Sequence, residues 1–494
     1  MPASSLKTDH YELTMLQAAL ADGTAAHPAV FEVFARRLPP GRRYGVVAGL
    51  GRLVDAIAEL RFGPNELHFL RRTGVVDEPT LRYLSTFRFD GTIHAYREGE
   101  LYFPYSPVLT VQASFGQAVL LETLALSIVN HDSAIASAAA RMADAAEGRP
   151  LIEMGSRRTD DEAAVSAARA AYVAGFAATS NLLAGHRHGV PTAGTAAHAF
   201  TLAHTDERSA FDSQLRSLGT GTTLLVDTYD LATGIRTAVD AARALGAPGP
   251  GAIRIDSGDL ASQARRARAM LDQLGASDTR IVVSSDLDEF AIAELLADQA
   301  PVDAFGVGTR LATGSGHPTA GFVYKLVAIA GSPDPTAPMR AVAKRSTAKT
   351  SVGGRKRAWR LLDEAGLAVA EHVVVQHDSS GAGPGAPRGP YRELQVLVME
   401  AAAVCHRPSL ADIRAHHRAA LSELAADLRM PDAGPPAMSG APADHLAGPP
   451  RAERPPAAKR PPADGRPPAD GRPPADERSP APGRHLATDL GGRP

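Results

Sequence analysis

Residues 252–309, AIRIDSGDLASQARRARAMLDQLGASDTRIVVSSDLDEFAIAELLADQAPVDAFGVGT, decide the fold. Three short apolar runs, AIRIDSG, RIVVSSD and DAFGVGT, each finish in polar or glycine residues. Between them, LASQARRARAMLDQLG and LDEFAIAELLADQ repeat apolar positions three and four apart, the spacing of an amphipathic helix. Strand and helix in alternation predict βα units around a parallel sheet. Working upstream, LIEMGSR, VPTAGT and TTLLVDT add three more strand-like runs, and DDEAAVSAARAAYVAG adds a helix. Residues 126–339 are therefore expected to form an α/β barrel rather than a sandwich.

The flanks differ. Residues 1–125 contain short β-like pieces (AVFEVFAR, GTIHAYREGELYF, PVLTVQAS) around a helical GLGRLVDAIAEL, which predicts a separate α+β domain. Residues 340–430 mix strand-like MRAVAKRS and HVVVQHD with a helical LADIRAHHRAALSELAADL, expected to pack back on the first domain. From 431 to 494 the chain is rich in proline and alanine and repeats RPPADG, RPPADG and RPPADE. Such a stretch has no side chains with which to offset folding entropy, so a disordered tail is expected. Its PxxP spacing would also suit a non-catalytic adaptor, but a solvated extension is the preferred reading.

At 494 residues the chain exceeds what one hydrophobic core usually serves. A formal net charge of -2 removes the broad positive field of a nucleic-acid binder. Cys405 is the single cysteine, which excludes an intrachain disulfide and a Cys-based zinc cage and fits a reducing compartment. The opening MPASSLKTDHYELTML lacks a basic start followed by an apolar core, and no run is long enough to span a bilayer, so a soluble, cytoplasmic protein with no membrane partner is expected.

In a parallel α/β barrel, the carboxyl ends of the strands build the active site. Those positions hold Arg157, His198, Asp227, Asp256, Asp259, Asp286, Gly306 and Gly308. The glycine pair of GVGT (306–309) lets backbone N–H groups approach a phosphate, although a plain turn uses the same residues. In IRIDSGD (253–259), Asp259 suits a helix N-cap, while Asp256 suits Mg²⁺ or a ribose hydroxyl and Arg254 a phosphate oxygen. An Arg–Asp surface pair is the plainer alternative. His198, in GTAAHAF, follows a strand in a loop of small residues that offers an imidazole little packing.

Taken together, these segments resemble the nicotinate phosphoribosyltransferase family over about residues 5–360. TDHYELTM (8–15) is similar to the family's TDxYxxTM, EMGSRR (153–158) to its E-F-G-x-R-R, and SNLLAG with GVPTAGTAAHAF to the stretch leading to its active histidine; IRIDSGD and GVGT complete the series. TLLVDTYDLATG (223–234) looks like the phosphoribosyl pyrophosphate motif of the Rossmann-like class, but that motif has two adjacent acids, and here Thr228 follows Asp227.

The resemblance implies an incomplete, type II phosphoribosyltransferase barrel. It would join nicotinate to phosphoribosyl pyrophosphate and release nicotinate mononucleotide and pyrophosphate, a step of NAD biosynthesis. It also implies that ATP phosphorylates His198, and that Asp256 and Asp286 work with Mg²⁺ on the ribose and pyrophosphate. Arg254 and the Gly306/Gly308 loop would hold phosphates, and Ser257, Gly258 and Thr309 would also bind substrate. Nicotinate would lie against Tyr11 and Met154, with its carboxylate near Arg157. Met154 departs from the family's phenylalanine, though a thioether can also cover a ring. Tyr11 would come from the second subunit of a homodimer. In KRSTAKTSVGGRKRAWR (344–360), Lys349 and Lys356 would reach ATP or phosphate. Nicotinamide and quinolinate are the rival substrates on the same fold.

Overall fold

Strand Pro28–Ala35 (β1) is aromatic and β-branched and is buried along nearly its whole length, which marks it as the interior of a sheet. In the computed structural model, which describes residues 5–344, 351–376, 387, 389–429 and 437–441, it is the third of seven strands. Helix α1 (His10–Asp22) precedes it. Thr92–Tyr96 (β2) and Leu109–Ser114 (β3) follow, with β3 antiparallel to both β1 and β2.

Helix α2 (Glu122–Ala145) then leads into the catalytic half of the chain. Its Ala138, Ala139 and Ala140 are fully buried, and side chains this small let neighbouring helices approach closely. Six parallel strands follow: β4 (Leu151–Glu153), β5 (Ala178–Thr179), β6 (Thr223–Leu225), β7 (Ala252–Ile255), β8 (Arg280–Ser285) and β9 (Ala304–Val307). Their order across the sheet is β5-β4-β9-β8-β7-β6. The two end strands do not pair with each other, so the sheet is a half-barrel. Its helices are α3 (Asp161–Val173), α4 (His198–Leu202), α5 (Glu207–Leu218), α6 (Leu231–Arg243), α7 (Leu260–Gln273) and α8 (Glu289–Ala297). The apolar faces of α3 and α5–α8 meet Ile253, Ile281, Val283 and Phe305 in one core.

Five of the six expected barrel runs are strands. VPTAGT is not: Pro191 has no N–H to give a ladder, and only Thr192 forms an isolated bridge, to Thr179. The place of that run is taken by the two-residue β5, too short to leave a pattern in the sequence.

Phe322–Ala330 (β10), expected within the barrel segment, lies beside β1 in the antiparallel sheet. Met339–Ala341 (β11) extends that edge. Arg355–Leu362 (β12), Ala368–Gln376 (β13) and Tyr391–Glu393 (β14) form a separate antiparallel sheet in the order β13-β12-β14. Gln395–Glu400 (β15) and Ala403–Val404 (β16) complete the seven-stranded sheet beyond β2, and helix α9 (Leu410–Ser422) follows. Both ends of the chain thus build one sheet.

Two expectations are corrected here. Lys356 does not reach a phosphate: its Nζ lies 2.6 Å from Glu32 Oε2 and donates to the carbonyls of Val352 and Gly354 at 2.8 and 2.8 Å. The lysine is 5% exposed, and an ammonium that deep must use all its donors on the protein. Lys349 lies outside the described residues. The second correction concerns the tail. Most of residues 431–494 lie outside the described residues, but 437–441 are seated on the fold. Ala437 N–H donates to Arg43 O at 2.8 Å and Gly440 N–H to Pro104 O at 2.7 Å. Ala441 is 5% exposed, and Met438 packs on the barrel core. A Cβ on Gly440 would stand 2.6 Å from Ser106 N, so only glycine fits there.

Truncation after Arg429 should therefore lower stability by about 2 kcal/mol, from the lost apolar burial and two backbone hydrogen bonds, whereas truncation after Ala441 should leave the unfolding midpoint in place. Thermal unfolding of both truncations against the full chain checks this, and equal midpoints for the two would contradict it.

Candidate active site

Strand register selects the side chains at the mouth. Leu225 pairs with Arg254, Arg254 with Val282, Ser284 with Gly306, and Gly306 with Ile152. Side chains on a strand alternate between faces, so residues two apart share one. Asp227, Arg254, Asp256, Ser284, Asp286, Gly306, Gly308 and Met154 thus belong to a single face at the strands' carboxyl ends. A cavity of about 220 Å³ opens there, lined by Met154, Arg157, Arg254, Asp256, Asp286, Gly306, Gly308 and Thr309 together with Arg158, Ser284 and Ser285.

Arg254 is the hub of this mouth. Its Nε donates to Ser284 Oγ at 2.7 Å, Nη1 to Thr195 Oγ1 at 3.1 Å and Nη2 to Asp256 Oδ1 at 2.7 Å. Ser284 Oγ also donates to Asp256 Oδ1. Burial by itself would raise the Asp256 carboxyl, but the Ser284 hydrogen bond and the Arg254 charge outweigh it and hold the group below its ordinary value. Asp256 is therefore a carboxylate at neutral pH, with Oδ2 turned to the imidazole.

His198 begins α4, where Ala197 provides no side-chain cap. Its Nδ1 lies 3.1 Å from Thr228 Oγ1, and its Nε2 lies 3.9 Å from Asp256 Oδ2 and 4.0 Å from Asp227 Oδ1. Asp227 Oδ2 accepts from Asp256 N–H at 2.8 Å and from Ser257 Oγ at 2.9 Å. The histidine thus faces two carboxylates from adjacent strand ends, with its side chain 39% exposed to the mouth. An imidazole placed this way can accept and release a phosphoryl group or a proton.

Glycine is required at two points. A Cβ on Gly306 would stand 2.8 Å from Met154 Sδ, so the bare backbone keeps the cavity floor open. Gly258 has φ +80°, which turns the chain from Ser257 into the Asp259 N-cap. Asp259 accepts from Ser262 N–H at 3.0 Å, the capping role expected of it.

The structure brings together Met154, Arg157, Arg254, Asp256, Ser257, Asp286, Gly306, Gly308, Thr309 and His198. Tyr11 stands apart on α1, 47% exposed, and does not line the cavity. Sequence reasoning missed Arg158, Ser284, Ser285, Thr195 and Thr228. Arg158 adjoins Arg157 in SRR and was findable. The serines and threonines become legible only once the register is known.

Residues 6–130 match the family described as nicotinate phosphoribosyltransferase (NAPRTase) N-terminal domain. The chain is 60% identical to a nicotinate phosphoribosyltransferase of Mycobacterium tuberculosis over 378 residues, covering 75% of this chain and 81% of that protein. With the Bacillus subtilis enzyme of the same name it shares 37% identity over 365 residues, covering 73% and 74%. The crystal structure of human nicotinic acid phosphoribosyltransferase superposes with a TM-score of 0.74 at 27% identity, covering 87% of this chain and 97% of that one. The half-barrel, the convergent strand ends and these likenesses agree: the chain belongs to the nicotinate phosphoribosyltransferase family.

Proposed function

We propose that this protein joins nicotinate to phosphoribosyl pyrophosphate, releases pyrophosphate and nicotinate mononucleotide, and couples the reaction to ATP through phosphorylation of His198. The observation that carries the reading is the convergence of His198, Asp227 and Asp256 beside a cavity lined by three arginines, Arg157, Arg158 and Arg254. A sugar diphosphate needs such a set of cations, and its transfer needs the leaving oxygen's charge stabilised.

In the transfer step, the C1–O bond to pyrophosphate breaks as the pyridine nitrogen bonds to C1. Arg254 and the backbone N–H groups of Gly308 and Thr309, just after β9, offer fixed donors to the departing phosphates. Arg157 is exposed at the cavity's edge, and its planar fork suits the nicotinate carboxylate. Met154 offers its thioether to the ring. No group of three or more His, Cys, Asp or Glu side chains among the described residues forms a protein-only metal cage. The exposed Asp286 carboxylate and Asp256 Oδ2 instead suit a Mg²⁺ ion that arrives largely on the diphosphate. When bound, that ion would neutralise charge on the phosphate oxygens.

In the ATP step, an unprotonated imidazole nitrogen of His198 forms a bond to the γ-phosphorus and ADP leaves. Water later takes the phosphoryl group. The position of Tyr11 on α1, outside the cavity, supports a homodimer in which each copy lends this ring to the other's site. No helix among the described residues is long and apolar enough to cross a membrane, and we assign the reaction to NAD biosynthesis.

Assayed with nicotinate, nicotinamide and quinolinate, each with and without ATP, the protein should turn over nicotinate fastest and gain from ATP only there; a preference for either rival would overturn the assignment. His198→Ala should abolish both ATP hydrolysis and the ATP-dependent gain while leaving residual transfer. Arg157→Ala should raise the KM for nicotinate on the order of 30-fold, the loss of a charged hydrogen-bonded pair, with a much smaller change for phosphoribosyl pyrophosphate. Equal losses on both substrates would reassign Arg157 to the phosphates.

A further inference from the structure

A second buried acid feels the charge of the Asp227 carboxylate. Glu207 is the first residue of α5, 8% exposed, and its Oε1 has no hydrogen-bond partner among the described residues. Asp227 Oδ1, the atom 4.0 Å from His198 Nε2, is likewise buried and without a hydrogen-bond partner among them. Two neighbouring buried carboxyl groups, each with an unsatisfied oxygen, are relieved when one of them keeps its proton. Asp227 is the better satisfied of the two, because Asp256 N–H and Ser257 Oγ both donate to its Oδ2. Glu207 receives no such donors.

We propose that Glu207 is a positioning residue of the phosphoryl-accepting site: in its protonated form it leaves the Asp227 carboxylate turned to His198 and keeps a third negative charge out of the pocket that takes ATP. The proposal rests on the phosphohistidine reading given above.

The surroundings support the protonated form. The helices packed against α5 are α4 and α6; they present His198, with His204 just after it, and the N-cap Asp230, while Asp227 in the turn after β6 acts on Glu207 through its charge. The neighbouring Arg208 is engaged by Asp212 at 2.9 Å. The amino end of a helix favours an ionised carboxylate, but only modestly. Burial, followed by the charges of Asp230 and Asp227, outweighs it and pushes Glu207 up to about 7. Below that pH the site holds two carboxylates near the histidine, and above it three. Polyanionic ATP should bind less well as pH rises through this range.

The test uses the full chain. For wild type and Glu207→Gln, kcat/KM for ATP in the ATP-stimulated reaction is measured from pH 6 to 8. Gln is isosteric with the protonated acid and does not titrate, so the ratio of wild type to E207Q should fall about tenfold over that range, with its midpoint near 7. A flat ratio would overturn the proposal. A second variant does not depend on how E207Q folds. Asp230→Asn keeps an N-cap of equal quality and removes a negative neighbour of Glu207. Ionisation of Glu207 then becomes easier, so the alkaline fall should begin about half a pH unit lower, and an unmoved midpoint would also overturn the proposal. A wild-type enzyme with no response to ATP would instead overturn the phosphohistidine reading itself, so the two failures are distinguishable.

Discussion

The guanidinium of Arg254 is the tie on which the mouth of this half-barrel depends. The sheet is open, with β5 and β6 unpaired to each other, so no ring of backbone hydrogen bonds fixes the loops at its top. Arg254 supplies the missing constraint by binding the next strand through Ser284, its own turn through Asp256, and the loop after β5 through Thr195. Thr195 lies three residues before His198. One side chain therefore sets both the carboxylate and the approach of the histidine that faces it. Hydrogen bonds to a charged group are worth about 1.5–3 kcal/mol each, enough to hold three loop ends that hydrophobic packing alone would leave free to drift.

The same arginine explains how acids can be concentrated where anionic substrates must enter. Asp256 has its charge matched by Arg254, and Asp227 has its Oδ2 satisfied by Asp256 N–H and Ser257 Oγ. Arg157 and Arg158 stand exposed across the cavity, available to ligand rather than committed to these acids. The site thus separates its charges by task, with buried ones neutralised internally and exposed ones kept for substrate.

How much of this could be read from the chain alone follows from where the information is stored. The barrel was legible because each strand is an apolar run ending in polar or glycine residues, and the parallel architecture sends every such end to the same side. His198, Asp256 and Gly308 could be assembled on that rule. Lys356 could not. In GGRKRAWR it reads as one of several solvated cations, and only its alternation along β12 and the position of Glu32 on β1 reveal that it points inward. Glu207 was hidden for a similar reason: an acid in the first turn of a helix usually needs no further explanation, and nothing local in the sequence says that Asp227 and Asp230 approach it. Residues 437–441 were concealed by composition, since a short docked segment leaves no periodic trace inside a proline-rich stretch.

The looseness of His198 is itself informative. Its Nε2 sits at 3.9 and 4.0 Å from two carboxylates, beyond hydrogen-bonding distance, and among the described residues only Thr228 is within reach of Nδ1. A histidine tied to both acids at short range would hold a proton firmly and be a poor nucleophile. The intermediate spacing leaves the ring free to exchange one partner for another. The small residues of GTAAHAF act in the same direction, filling little space around the imidazole and leaving it room to turn.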